Sequence, residues 1–179
     1  MAGETAAVEA ARTATARFRA AVQAGDLTTF AQTLAPDVVL RSPVSRKARF
    51  ERRDEVSALV AVVFDVITEI EYFEDVGSER TRALFYRARV GSEVIEEATL
   101  LRLDANTKVM EITLFIRPLP GLTALTAALG PRLARRGGRA RAALATAITA
   151  PLAALTRAGD AVAVRLIQPA SADRSVSLD

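Results

Sequence analysis

The sequence contains no histidine, no cysteine and no tryptophan. Without histidine there is no Ser/His/Asp triad, no imidazole base and no imidazole metal ligand. Without cysteine there is no thiol nucleophile, thiolate metal site or disulfide framework, and nothing points to an oxidising compartment. Lysine is nearly absent too, with only Lys47 and Lys108, so the positive charge is almost all arginine. The chain is alanine-rich as well, which makes arginine abundance alone weak evidence for anion recognition. No phosphate loop, dinucleotide fingerprint or carboxylate cluster with metal-ligand spacing occurs, so neither a cofactor nor a metal is expected.

What is present is a globular balance: 179 residues, half apolar and a quarter charged. That is one domain of ordinary size with room for an appendage. Charge divides the chain. Residues 1–118 carry 16 basic and 18 acidic side chains, net −2, and residues 119–179 carry 8 and 3, net +5. No glutamate follows Glu111. The expected division is a domain over 1–118, a basic Ala/Leu-rich helical extension over 119–168 and a disordered tail over 169–179. The start lacks the apolar core of a signal peptide, and the longest uncharged run, Ala142 to Thr156, is too short to span a bilayer. A soluble cytoplasmic protein is expected.

Hydrophobic spacing reads as helices first. Val8, Ala11, Thr15, Phe18 and Val22 form one helical stripe, closed by Gly25, with Asp26 placed to cap the next helix. Leu27, Phe30, Ala31 and Leu34 make a short second helix ended by Pro36, and Val38 to Arg41 a short strand. Ser42 to Phe50 reads as a basic loop. A third helix presents Val56, Leu59, Val60, Val63 and Ile67. The period then falls to two. Glu69 to Val76, Thr81 to Val90, Glu93 to Asp104 and Val109 to Arg117 read as strands, with turns at Gly77-Ser78, Gly91-Ser92 and Asp104–Thr107. Helices followed by antiparallel strands indicate an α+β fold with the helices on one face of a curved sheet. Beyond Pro120, Leu122, Leu125, Leu129 and Leu133 suit a helix bent or broken at Gly130-Pro131. A second helical stretch carries Leu144, Ile148, Leu152 and Leu155, and Val162 to Ile167 is ambiguous.

Two segments carry a resemblance. Arg17 to Val44, RFRAAVQAGDLTTFAQTLAPDVVLRSPV, is similar to the opening of the nuclear transport factor 2-like, or SnoaL-like, superfamily, and Glu97 to Pro118 resembles its last two strands. The resemblance covers about residues 5–120. It implies a cone, with three N-terminal helices on a strongly curved antiparallel sheet around an apolar pocket, and frequent dimers. The superfamily holds isomerases, cyclases, hydrolases and non-catalytic binding proteins, so activity must be argued from the pocket. At the positions matching the ionisable residues of its ketosteroid isomerases this chain has Phe18, Ser42 and Thr99. That argues against the isomerase mechanism.

A two-residue turn at Gly91-Ser92 would place Leu84 opposite Thr99, Tyr86 opposite Glu97, Ala88 opposite Ile95 and Arg87 opposite Glu96. The resemblance makes the face of Tyr86 and Glu97 the concave one and implies a pocket lined by Phe18, Leu34, Ser42, Val60, Phe64, Tyr72, Leu84, Thr99, Leu101, Ile112, Leu114 and Ile116. Glu97 and Tyr86 are the acid/base candidates. A register shifted by one residue would instead turn Glu97 to water. Arg41 and Arg117 could receive a ligand carboxylate, or be ordinary rim arginines. Arg132, Arg135, Arg136, Arg139 and Arg141 form a basic cluster without an acid. It fits an anionic partner, peripheral membrane contact, or a solvated loop between helices covering the cone. No aromatic follows Phe115, so the cluster lacks the stacking platform of a nucleic-acid site. The expected function is binding of an apolar small molecule without a cofactor. The alternatives are an isomerase, cyclase or hydrolase using Glu97 and Tyr86, and an interaction module using the basic helices.

Overall fold

The computed structural model describes residues 2–134 and 151–160. Its elements run α1 (Ala2–Ala24), α2 (Leu27–Thr33), β1 (Leu34–Arg41), β2 (Arg49–Glu51), α3 (Arg53–Phe64), β3 (Ile67–Gly77), β4 (Thr81–Val90), β5 (Glu93–Leu103), β6 (Val109–Arg117) and α4 (Leu119–Ala134). Residues 151–160 are a further helix. The strands form one open sheet in the order β2-β1-β6-β5-β4-β3, antiparallel except for the parallel pair β1 and β6. This is the expected α+β architecture.

Local chemistry accounts for the helical half. Gly25 takes φ +63° after α1, and the Asp26 carboxylate accepts from the Thr29 amide at 2.9 Å to cap α2. A buried ion pair fastens α1 to the sheet. Arg82, 2% exposed, donates to Asp75 through Nε at 3.0 Å and to the Gly77 carbonyl at 3.1 Å. The other Asp75 oxygen accepts from Thr15 of α1 at 2.8 Å. The sheet bends because β3 carries register shifts at Thr68/Glu71 and Tyr72/Glu74, and Glu69 adopts φ 54°.

Four boundaries differ from the sequence expectation. Helix α2 stops at Thr33, and Pro36 lies inside β1 rather than ending a helix. The proline is tolerated because pairing with β6 is interrupted between Leu34 and Val39, where no backbone donor is required. The basic loop ends early: Arg49–Glu51 pair antiparallel with Val39–Arg41 as a short edge strand. Ile67 belongs to β3 opposite Val90, not to the third helix. Finally, α4 is continuous through Gly130-Pro131 to Ala134, at the cost of the hydrogen bond that a proline cannot donate. The expected segments at Val162–Ile167 and 169–179, and the Leu144 and Ile148 stretch, lie outside the described residues.

Two buried clusters result. One is built from α1–α3 against β1, β4, β5 and β6, around Phe18, Phe30, Leu34, Leu84 and Leu101. The other holds Ile67, Tyr86, Ala88, Val90, Ile95 and Leu125, which draws α4 into the fold. Gly121 in the first turn of α4 permits this approach, because a Cβ there would lie 2.5 Å from Ile95 Cγ2. Thr123 adds a 2.6 Å hydroxyl contact to Thr156 of the 151–160 helix.

Candidate functional site

The site is set by strand register. Leu84 pairs with Thr99, Tyr86 with Glu97, Arg87 with Glu96 and Ala88 with Ile95. On either side, Tyr72 pairs with Tyr86 and Ile116 with Glu97, while Leu114 pairs with Thr99. Alternation then puts Tyr72, Tyr86, Glu97, Thr99, Leu114 and Ile116 on the concave face. The register is the one that turns Glu97 inward.

Glu97 is 5% exposed, and among the described residues no cation pairs with it. Its carboxylate accepts from the Tyr86 hydroxyl at 2.7 Å and from the Thr99 hydroxyl at 2.6 Å. Burial pushes its pKa up, and these two hydrogen bonds pull against that shift. Burial and the neighbouring carboxylate both push Tyr86 well above the ordinary phenol range. Tyr72, with its ring centroid 5.1 Å from that of Tyr86, is raised mainly by burial. The Arg19 guanidinium lies 5.9 Å from the centre of the Tyr72 ring.

These groups face a cavity of about 240 Å³. Of the residues expected to line it, Phe18, Ser42, Val60, Phe64, Tyr72, Thr99, Ile112, Leu114 and Ile116 do so. Leu34, Leu84 and Leu101 do not. Each is wholly buried and fills the core beneath the cavity wall. The wall also contains Val22, Phe30, Phe50, Leu59, Val63 and Ile67, with Pro43 and Val44 from the loop after β1. Helix α4 adds Leu125, Thr126, Leu129, Gly130 and Leu133. The four-residue spacing of Leu125, Leu129 and Leu133 was visible as a helical stripe, but nothing in the sequence showed which surface the stripe would meet.

Arg41 and Arg117 are not cavity groups. Arg41 pairs with Glu111 at 3.1 Å and Arg117 with Glu96, both on the outer face. Arg132 is exposed and donates to the Ala128 carbonyl of its own helix at 2.6 Å. Arg135, Arg136, Arg139 and Arg141 lie outside the described residues. Among the described residues, no His/Cys/Asp/Glu group could hold a metal ion, and no helix is long and apolar enough to cross a membrane.

No family model and no curated protein matches the sequence. Solved structures do. A steroid delta-isomerase from Pseudomonas aeruginosa is 27% identical with a TM-score of 0.65, over 71% of this chain and 93% of that one. An NTF2-like protein from Mesorhizobium loti is 15% identical at 0.56, over 62% and 93%. A SnoaL-like protein from Shewanella denitrificans is 14% identical at 0.50, over 60% and 90%. The chain has the cone fold of the nuclear transport factor 2-like superfamily. The shared cone explains why one sheet face carries the cavity. The shared fold does not assign a role to the polar groups inside it.

Proposed function

We propose that this protein binds a small apolar molecule bearing one hydrogen-bond donor. The observation that carries the reading is a cavity of about 240 Å³ with a largely apolar wall and one buried acid, Glu97, facing into it. A cavity of roughly 150 Å³ holds benzene, so this one suits a ligand of about ten non-hydrogen atoms. The hydroxyl protons of Tyr86 and Thr99 both point at Glu97. With Glu97 ionised, what the cluster offers a ligand is therefore lone pairs, and these are matched by a hydroxyl or amine.

Calorimetric titration tests this with two probes of similar size, phenol and anisole. Phenol should bind about fivefold tighter or more, the worth of one hydrogen bond. Glu97→Leu should erase that preference while anisole affinity holds. The reading is overturned if neither probe binds, or if the two bind equally well to the unmodified protein.

A second reading, acid/base catalysis by Glu97 with Tyr86 as its hydrogen-bond partner, is favoured by the raised pKa of a carboxyl group facing the cavity. Either reading is compatible with a homodimer formed through the outer face of the sheet. That face exposes Phe73 and Phe115, with the half-buried Phe85 between their strands.

A further inference from the structure

Helix α4 crosses the cavity from one apolar cluster to the other. Its start is anchored: Pro120, Gly121, Thr123 and Leu125 are buried, Gly121 sits against Ile95, and Thr123 contacts Thr156. From there Leu125 and Leu129 pack with the cluster around Tyr86, and Leu133 packs with the cluster around Phe30. These leucines span about 12 Å of helix axis at 1.5 Å per residue. The helix thus supplies one whole wall, independent of the wall the sheet provides, and its leucines face the cavity that contains Glu97.

Resting on the binding reading above, we propose that α4 sets the upper size limit of the ligand, with Leu129 as the limiting residue. Leu125 is held close to the sheet and is itself buried, whereas Leu129 is only partly buried, lies midway along the wall, packs with the cluster that holds Tyr86 and lines the same cavity. The ligand class is a short aliphatic or alicyclic alcohol or amine with its polar end at Glu97 and its apolar end against α4. Binding should strengthen with each added methylene until the chain meets that wall, and gain nothing beyond it.

The test is a titration of the full chain with straight primary alcohols from butanol to dodecanol. Affinity should rise about fourfold per added methylene and level off at about nine carbons, from the cavity volume. Leu129→Ala should move the plateau at least about two carbons longer and Leu129→Phe about two shorter, while Leu129→Met leaves it in place. Melting and far-UV circular dichroism identify any variant that has lost its fold. Should Leu129→Ala be one of these, the shift in Leu129→Phe decides alone. A plateau that stays put in both folded variants overturns the proposal while leaving the binding reading intact. If no alcohol binds the unmodified protein, the binding reading fails and this proposal falls with it.

Discussion

Glu97 illustrates how a single carboxyl group couples a site to stability. Its folded pKa is raised by burial, so between the unperturbed glutamate value of about 4.3 and that raised value the folded state holds a proton that the unfolded chain releases. Stability must therefore fall as pH rises through this window. The surface groups with lowered pKa, Glu96 and Glu111 beside their arginines, act on the acid side of it and with the opposite sign. Glu97→Gln should flatten the decline, which denaturant melts from pH 4.5 to 8 would measure. An unchanged slope would mean that Glu97 is not its source. The same variant separates the two functional readings. Loss of solvent deuterium exchange at the α-carbon of a bound small ketone would mark Glu97 as a base, whereas intact alcohol binding without any exchange in the unmodified protein would mark a binding site. The rank Tyr72, Tyr86, Glu97 and Ile116 was partly legible in advance. Gly91, at φ 59°, closes a two-residue turn, and that turn fixes every partner along β4 and β5. Leu34 was misplaced because it was read as a helix residue and instead begins β1; Leu84 and Leu101 were misplaced for a different reason. Alternation reports which face a residue occupies, not whether it reaches the cavity or is covered by the helices in front of it.

At the scale of elements, the misread boundaries are those decided by distant partners. Pro36 looked like a helix stop because the interruption in β1–β6 pairing cannot be seen locally. Arg49–Glu51 looked like loop because a three-residue edge strand has too little pattern of its own. Helix α4 carried a clear apolar stripe, but its seat is specified by Gly121, where the space over Ile95 admits only a hydrogen. Gly121→Ala should force the helix away from a wholly buried, β-branched neighbour, and overpacking of this kind costs about 1–3 kcal/mol. Urea unfolding would register it as a lower midpoint at constant m-value. No shift would show that α4 docks more loosely than its contacts imply.

For the whole molecule, the outer face of the sheet is the surface that, among the described residues, leaves large aromatic side chains most exposed. Phe73 and Phe115 are 58% and 57% exposed, and the rings of Phe73 and Phe85 lie 6.3 Å apart. The charges around them are of both signs and largely matched within the chain: Arg87 and Arg117 share Glu96, with Glu71 also near Arg87, while Arg89 pairs with Glu69 and Arg41 with Glu111. Such a face presents no net repulsion to a second copy of itself, so it can bury its aromatics in an isologous contact. Sedimentation should show a dimer at about 50 µM chain, roughly the concentration range in which modest interfaces assemble. Phe73→Glu with Phe115→Glu should shift it to monomer without loss of probe binding. A unmodified chain that sediments as a monomer would argue that the face serves something else.

The parallel pairing of β1 with β6 has one more consequence, in the order of assembly. Strands β3 to β6 are joined by short turns and can zip up locally, whereas Leu40 must find Ile112 across most of the domain. Pairing at that sequence separation closes a long loop before it gains any contact, which makes it slow. On a growing chain the N-terminal helices and β1 emerge first, yet they have no sheet to complete until β6 has been made. The meander is the natural nucleus, and β1, arriving with α1 and α2, is the piece that closes the cavity from the other side.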